Sequence, residues 1–216
     1  MVLISEAFEK TGNSYDKFGD LVPSKVVKVL DPFYMDAYEV TVGQFKQFVQ
    51  RSGYNYRGNW NGVAKYSPTD EHPMSYVTWD DAVAYAQWAG KRLPTEKEWE
   101  FAARGALIDK EFTWGDEESI AREYANFEGT LGKDQWDKTT APVGSFRPNG
   151  YGLYDMAGNV YEWCQGWYSG EQVYRVLRGG SWNSNADGRR VSLRYSDDPA
   201  DIDLGSGGFR CVSGSK

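Results

Sequence analysis

Arg178-Gly179-Gly180-Ser181-Trp182 and, further on, Gly208-Phe209-Arg210 enclose the stretch whose reading decides the fold. Between them run Asn183-Ser184-Asn185-Ala186-Asp187-Gly188-Arg189-Arg190 and then Tyr195-Ser196-Asp197-Asp198-Pro199-Ala200-Asp201-Ile202-Asp203-Leu204-Gly205-Ser206. The frame is glycine, aromatic and arginine. The run inside it is small, polar and charged, with no cysteine and no histidine. A frame that fixes a surface but carries no reactive side chain reads as a binding site before it reads as an active site.

Outward from this frame, the second half of the chain has turn residues every few positions and no sustained helical period. Ala141-Pro142-Val143-Gly144, Gly158-Asn159-Val160-Tyr161-Glu162-Trp163-Cys164, Tyr174-Arg175-Val176-Leu177-Arg178-Gly179-Gly180 and Gly208-Phe209-Arg210-Cys211-Val212 predict short strands. The first half differs. Val26-Val27-Lys28-Val29-Leu30 predicts a strand, and the segment from Asp31 to Val40 predicts a strand leading into a helix. Thr41 with Gln44 forms a capping box, Val42, Phe45, Phe48 and Val49 share one helical face, and Gly53 ends the helix. Thr78 with Asp81 repeats the pattern, with Trp79, Val83 and Ala86 as the apolar face and Gly90 as the stop. Thr95 with Glu98 repeats it again, with Trp99, Ala102, Ala103 and then Gly105. Short helices first and short strands later, joined by long loops, predict an α+β fold, not a doubly wound parallel sheet. No low-complexity linker divides residues 1–216, so the reading is one domain.

Aromatic residues make up 16% of the chain, with 9 Trp and 15 Tyr, so aromatic packing is expected to replace long regular elements. A net charge of −7 argues against a nucleic-acid partner and against an anionic membrane surface. No apolar run approaches the ~18 residues that span a bilayer, so no membrane insertion is expected. Met1-Val2-Leu3-Ile4 is too short for the apolar region of a signal peptide. The compartment stays open, and a secreted or surface protein whose leader has been removed is among the options.

Cys164 and Cys211 lie far apart in sequence. They read as two small buried hydrophobes, with a single disulfide as the alternative and a metal pair disfavoured for want of further soft ligands. The lone His72 sits in the turn-like Glu71-His72-Pro73-Met74 and reads as structural or solvent-exposed, not catalytic.

Four longer motifs carry a family resemblance. They are Phe33-Tyr34-Met35-Asp36-Ala37-Tyr38-Glu39-Val40-Thr41, the run Gly90-Lys91-Arg92-Leu93-Pro94-Thr95-Glu96-Lys97-Glu98-Trp99-Glu100, the run from Asn149 to Trp163 that contains Asp155-Met156-Ala157-Gly158-Asn159-Val160-Tyr161-Glu162, and the Arg178 to Trp182 frame with Gly208-Phe209-Arg210. In this order, over about residues 30–212, the chain resembles the formylglycine-generating-enzyme (sulfatase-modifying factor) family. The resemblance implies a loop-rich C-type-lectin-like fold with its ligand surface near the C-terminus. Catalytic members oxidise a substrate cysteine with copper and oxygen, using one cysteine three residues after the Gly-Gly-Ser and another five further on. Those positions here are Ser184 and Arg189. Neither a hydroxyl nor a guanidinium replaces a thiolate as a soft ligand for Cu(I), and neither performs thiol exchange. No copper and no formylglycine generation are therefore expected.

The C-terminal segment also resembles the variable region of proteins diversified by retroelements, some of which use this scaffold. Adenine-directed copying errors scatter codons around Asn, Ser, Asp, Gly and Tyr, with some Leu, Ile and Ala. Asn183, Ser184, Asn185, Asp187 and Gly188 fit that scatter, as do Leu193, Tyr195, Ser196, Asp197 and Asp198, and Asp201, Asp203, Leu204, Gly205 and Ser206. With Trp182, these define an expected ligand-binding segment at about residues 181–207. The alternatives are an undiversified binding or scaffold module of the family and a copper-dependent oxidase or other modifying enzyme. A protein or peptide ligand is expected, because no phosphate cradle or cofactor motif is visible.

The family resemblance further implies structural calcium at two places. In the first, Asn126 and Asp134 would give side-chain oxygens and Phe127 and Trp136 carbonyls. In the second, Asp155 and Glu162 would give side chains and Gly158 and Val160 carbonyls. Hard oxygen ligands of this kind suit Ca²⁺. The carboxylates Asp197, Asp198, Asp201 and Asp203 resemble an acid/base pair only superficially. No apolar pocket is evident beside them in the sequence, and Arg190 and Arg194 would keep them ionised. Arg178, Arg190, Arg194 and Arg210 read as braces that hold loop carbonyls and carboxylates through forked hydrogen bonds.

Overall fold

The computed structural model describes residues 1–5, 8–10, 14–15, 21–22, 26–28, 31–128, 136, 138–201 and 204–214. The chain opens with short strands at Val2–Ile4 (β1), Phe8–Lys10 (β2), Ser14–Tyr15 (β3), Leu21–Val22 (β4), Val26–Lys28 (β5) and Phe33–Met35 (β6). Helices follow at Val42–Ser52 (α1), Trp60–Tyr66 (α2), Trp79–Trp88 (α3), Glu96–Arg104 (α4) and Ala121–Tyr124 (α5), the last preceded by a 3-10 turn at Glu118–Ile120. The C-terminal half holds Tyr161–Trp167 (β7), Arg175–Arg178 (β8), a 3-10 turn at Ala186–Arg189, Tyr195–Asp197 (β9), Gly207–Gly208 (β10) and Val212–Gly214 (β11).

β6 runs antiparallel between β1 and β11, so both Val2 and Val212 face Met35 in register and the two ends of the chain meet in one sheet. A second sheet has the order β10-β7-β8-β9, with β10 parallel to β7 and the other pairs antiparallel. The segment from residue 181 to 206 leaves the end of β8, passes through β9 at one edge of this sheet, and returns to β10 at the other.

Local sequence explains the three predicted helices. Thr41, Thr78 and Thr95 each accept a hydrogen bond from the backbone N–H three residues on, and Gln44, Asp81 and Glu98 reach back to the cap N–H. Each cap stabilises its helix by about 1 kcal/mol. Phe45 and Phe48 of α1 bury their rings against Tyr85 of α3. Phe209, from the C-terminal frame, completes that cluster edge-on to Phe45 and Tyr85. A second cluster packs Trp99, Ala102 and Ala103 of α4 against Cys164, Val176 and Met156. The helices thus hold the second sheet from which the C-terminal segment departs.

Several elements depart from the sequence expectations. Ala141-Pro142-Val143-Gly144 is not a strand. Its N–H groups go to Asn159 Oδ1, the Glu71 carbonyl and Asp155 Oδ2, and Pro142 has none to give. The strand expected from Gly158 starts at Tyr161, because Gly158 and Asn159 donate to the carbonyls of Gly179 and Asn126 instead. The single strand expected at Gly208–Val212 is split, since Val40 and Asp36 donate to the Phe209 and Cys211 carbonyls between β10 and β11. Helix α2 was not anticipated, being short and glycine-containing, and it is started by Asn59 accepting from Gly62 N. Of the strand expected at residues 26–30, Val26–Lys28 pairs with β2, and Val29 and Leu30 lie outside the described residues.

Cys164 and Cys211 are free, buried thiols, each raised in pKa chiefly by burial. His72 is buried, with Nδ1 2.9 Å from Thr69 Oγ1, and burial lowers its pKa. No described helix is long and apolar enough to cross a membrane.

Candidate functional site

Arg178 ends β8 and is only 1% exposed. Its Nη1 donates to Glu96 Oε1 at 2.8 Å, and its Nη2 donates to Glu100 Oε2 at 2.8 Å and to the Val191 carbonyl at 2.5 Å. One guanidinium therefore ties the site segment to α4. Gly179 and Gly180 then turn the chain with φ of 91° and 76°. A Cβ on Gly180 would lie 2.4 Å from the Gly188 carbonyl oxygen, so this turn packs directly on the 3-10 turn. Asn185 caps that turn by accepting from Gly188 N at 3.1 Å.

The position five residues beyond Ser184 is sealed. The Arg189 side chain is 0% exposed, donates to Glu118 Oε1 at 2.5 Å, and stacks 3.6 Å over the Phe127 ring. Ser184 is 8% exposed. Its Oγ accepts from Ser181 N at 2.9 Å and donates to the Tyr161 hydroxyl at 3.1 Å. Its remaining contact is with the Ser181 hydroxyl at 3.1 Å, so this hydroxyl packs between Ser181 and Tyr161.

A cleft of about 400 Å³ opens above Ser184 and Gly188. Asn183, Asn185 and Asp187 line one part of it, and Leu193, Tyr195, Leu204 and Ser206 the rest. Leu193 and Tyr195 are exposed, whereas Ser184 and Gly188 form the floor and do not present side chains outward. Trp182 lies outside the cleft, half-buried and stacked on Tyr66 with ring centroids 5.3 Å apart, its Nε1 without a partner. Ser196, Asp197, Asp198 and Asp201 lie on and after β9, outside the lining; Asp203 lies outside the described residues. Tyr161 was missed by sequence reasoning. It stacks on Tyr195 at 4.9 Å and lines the cleft. The outward position next to buried Glu162 on an alternating strand was the signal that could have found it.

The expectation that Arg190 and Arg194 keep the acidic run ionised needs correction. Arg194 forks onto Glu96, with Nε 2.6 Å from Oε1 and Nη2 2.9 Å from Oε2. Arg190 pairs with Glu111 and Asp187. Asp197 consequently has its pKa raised, by burial first and then by the neighbouring Asp201 and Asp198 charges. The cleft also supplies apolar surface beside the run, which the sequence had not shown.

Behind the site lies a buried charge cluster. Arg210 and Glu162 are both fully buried, with Nε 2.8 Å from Oε2 and Nη2 2.8 Å from Oε1. Arg210 also donates to the carbonyls of Asp36, Ala37 and Tyr154, and Trp99 Nε1 donates to Glu162 Oε2 at 2.7 Å. Glu39, a second residue missed by sequence reasoning, accepts from Asn159 Nδ2 at 2.7 Å and from Val160 N at 3.2 Å. Burial raises the pKa of Glu39 well above the ordinary carboxylate range, and burial likewise pushes Asp155 up to about 6.

The oxygens implied as calcium ligands are unevenly placed. Asp155 Oδ2 accepts from Gly144 N, and Oδ1 is buried without a partner, which suits a cation. Glu162 already spends both oxygens on Arg210 and Trp99. Gly158 and Val160 belong to the turn and strand start beside this cluster. At the other place, the Phe127 carbonyl accepts from Arg122 Nη1 at 2.6 Å, and Asn126 Nδ2 donates to the Thr139 carbonyl and to Asn159 Oδ1. Trp136 packs edge-on against Phe146, and Asp134 lies outside the described residues.

These features define a loop-rich α+β domain whose C-terminal segment is braced from behind by arginines and opens onto a cleft. Treponema denticola variable protein 1 has the same C-type-lectin-like fold, superposing with a TM-score of 0.80 over 100% of this chain and 95% of that one at 23% identity. The family model described as sulfatase-modifying factor enzyme 1-like domain matches residues 1–214, so the chain belongs to the formylglycine-generating-enzyme family. The formylglycine-generating enzyme of Streptomyces coelicolor is 43% identical over 166 residues, which are 66% of this chain and 52% of that protein. The inactive C-alpha-formylglycine-generating enzyme 2 of Bos taurus is 44% identical over 158 residues, 67% of this chain and 51% of that protein. The chain thus spans about half the length of either relative.

Proposed function

We propose that this chain is a non-catalytic ligand-binding protein that displays an interchangeable recognition surface, residues 181–207, on its C-type-lectin-like scaffold. One observation carries the reading. Where catalytic relatives place two thiolates, this chain has a packed Ser184 hydroxyl and a sealed, ion-paired Arg189. Copper(I) chemistry on a substrate thiol needs soft sulfur donors, and neither group is one. Overall identity does not argue otherwise, because a relative named as inactive is as similar as one named as the enzyme.

The mechanism is display. Arg178, Arg189 and Arg194 fix the segment from behind, so ligand capture need not order the backbone. Each flexible side chain immobilised on binding costs about 0.5–1.5 kcal/mol, and a braced backbone removes further ordering costs. Leu193 and Tyr195 give exposed apolar contact, and Asn183, Asn185 and Asp187 give hydrogen bonds, a mixture suited to a protein or peptide surface. A structural calcium belongs to this reading at Asp155, where the unpartnered Oδ1 is an open oxygen.

The test replaces Asp187→Asn, Leu193→Ser and Tyr195→Ser together, and the probe is a peptide selected on the parent protein from a random displayed library. Tyr195 loses its stack on Tyr161, so stability should fall by no more than about 2 kcal/mol, while peptide capture should fall at least about tenfold. Unfolding of the variant would show these residues to be core, and unchanged capture would place recognition elsewhere. A reverse-transcriptase gene beside a near-copy of the segment encoding residues 180–210 separates the diversified form from the undiversified one.

A further inference from the structure

We propose that a separate pocket, beside the loop between β6 and α1, binds a neutral pyranose ring through its hydroxyl groups. The pocket has a volume of about 220 Å³ and shares no lining residue with the C-terminal cleft. Drug-sized molecules occupy about 300–1,000 Å³, so this pocket suits one small ring. Three observations carry the inference. First, a buried hydroxyl opens onto it. Tyr85 lines the pocket and is only 6% exposed. Its ring is fixed among Phe45, Phe48 and Phe209. Burial first, and then Cys211 and Asp36, raise its pKa, which sets the hydroxyl on the Asp36 side of the pocket. Among the described residues nothing hydrogen-bonds to that hydroxyl. A buried hydroxyl without a partner is a free-energy cost that a ligand hydroxyl removes.

Second, the wall carries both charges side by side. Lys91 Nζ donates to Oδ1 and Oδ2 of Asp36 at 2.6 and 2.9 Å. An ammonium has a third N–H, and each carboxylate oxygen a second lone pair, so donor and acceptors remain next to each other. Gln44 spends its side-chain carbonyl on Thr41 N and keeps its NH₂ group. A hydroxyl donates and accepts at once, so neighbouring hydroxyls of one ring match this wall. An anion would meet Asp36 and a cation would meet Lys91, so a neutral ligand fits best. Third, the polar wall is rigid and has apolar surface beside it. Asp36 N donates to the Cys211 carbonyl, and Arg210 Nη1 donates to the carbonyls of Asp36 and Ala37. A wall held this way needs little ordering on binding. Tyr38, backed by Tyr154 with ring centroids 4.8 Å apart, is 42% exposed. With Val143 it offers apolar surface to the C–H face of a sugar ring.

The test titrates the full chain with the methyl pyranosides of glucose, galactose and mannose, following backbone amides by NMR. Tetrahydropyran-2-methanol, which lacks the ring hydroxyls, is the comparison compound. At least one glycoside should give saturable shifts at residues 36–44 and 85–91, and the comparison compound should bind at least about tenfold more weakly. Tyr85→Phe should weaken the bound glycoside at least about fivefold and leave the melting temperature unchanged or raised, because the deleted hydroxyl has no protein partner. No saturable shift with any of the three glycosides, shifts confined to residues 183–206, equal binding of the comparison compound, or full affinity in Tyr85→Phe would each overturn the inference. A disaccharide ending in the bound unit identifies the source. Binding as tight as the methyl glycoside assigns the pocket to glycan ends and exclusion assigns it to free sugars, with the same hydroxyl chemistry in both. The Asp187, Leu193 and Tyr195 triple variant leaves this pocket intact, so the recognition face and the sugar site stand or fall separately.

Discussion

Replacing Arg210 by methionine should lower stability by about 3–5 kcal/mol, because breaking one side of a buried ion pair leaves the other charge uncompensated. For a chain of this length that corresponds to a loss of roughly 10 °C in melting temperature. Arg210 is 0% exposed, holds both oxygens of Glu162, and donates to three backbone carbonyls. Its charge also faces Glu39 and Asp155. Methionine fills much of the volume but answers none of these groups. The sign of the pH dependence follows. Without the guanidinium the buried carboxylates bind protons more readily, so the difference from the parent should shrink as pH falls from 7 towards 5. Thermal melts at the two pH values check this, and a loss below about 1 kcal/mol at pH 7 would show that the pair contributes little beyond its desolvation cost. The same melts address calcium. Chelation should lower the melting temperature of the parent, and added calcium should restore part of the loss in Arg210→Met. If neither moves, the calcium proposal at Asp155 is wrong.

Gly180→Ala should cost about 3 kcal/mol and abolish ligand capture even in the fraction that folds. A left-handed backbone at a non-glycine residue costs about 1–3 kcal/mol. Here the new Cβ would also stand 2.4 Å from the Gly188 carbonyl, which is backbone and must move, taking the 3-10 turn and the cleft floor with it. Gly53→Ala is the control. Gly53 has φ of 71° but nothing within 4 Å of the built Cβ, so only the conformational cost of about 1 kcal/mol applies. Equal losses in the two variants would mean that the turn does not clamp the site.

Helix starts were readable because capping is local: the threonine and its partner three residues on contain the whole interaction. The arginine braces were readable for a related reason, since a long guanidinium in a glycine-rich frame must find carboxylates or carbonyls. The particular partners were not, as Glu96 and Glu100 lie on a distant helix. This explains the error about Arg190 and Arg194: they were assumed to serve the acidic run after β9, and the fold gives Arg190 to Glu111 and Asp187 and Arg194 to Glu96 instead. Tyr161 and Glu39 escaped notice because their roles arise only when β7 meets the C-terminal segment and the loop before α1. The false strand at Ala141–Gly144 shows the same limit, because its N–H groups are satisfied by two side chains and a backbone carbonyl remote in sequence.

The most direct test of the account is oxygen consumption by the pure chain, supplied with copper and a cysteine-containing peptide in a sealed electrode cell. With Ser184 and Arg189 in the thiolate positions, uptake should equal that of the protein-free control and the peptide thiol should persist. Protein-dependent oxygen uptake with loss of the thiol would contradict the central claim that this family member recognises without reacting.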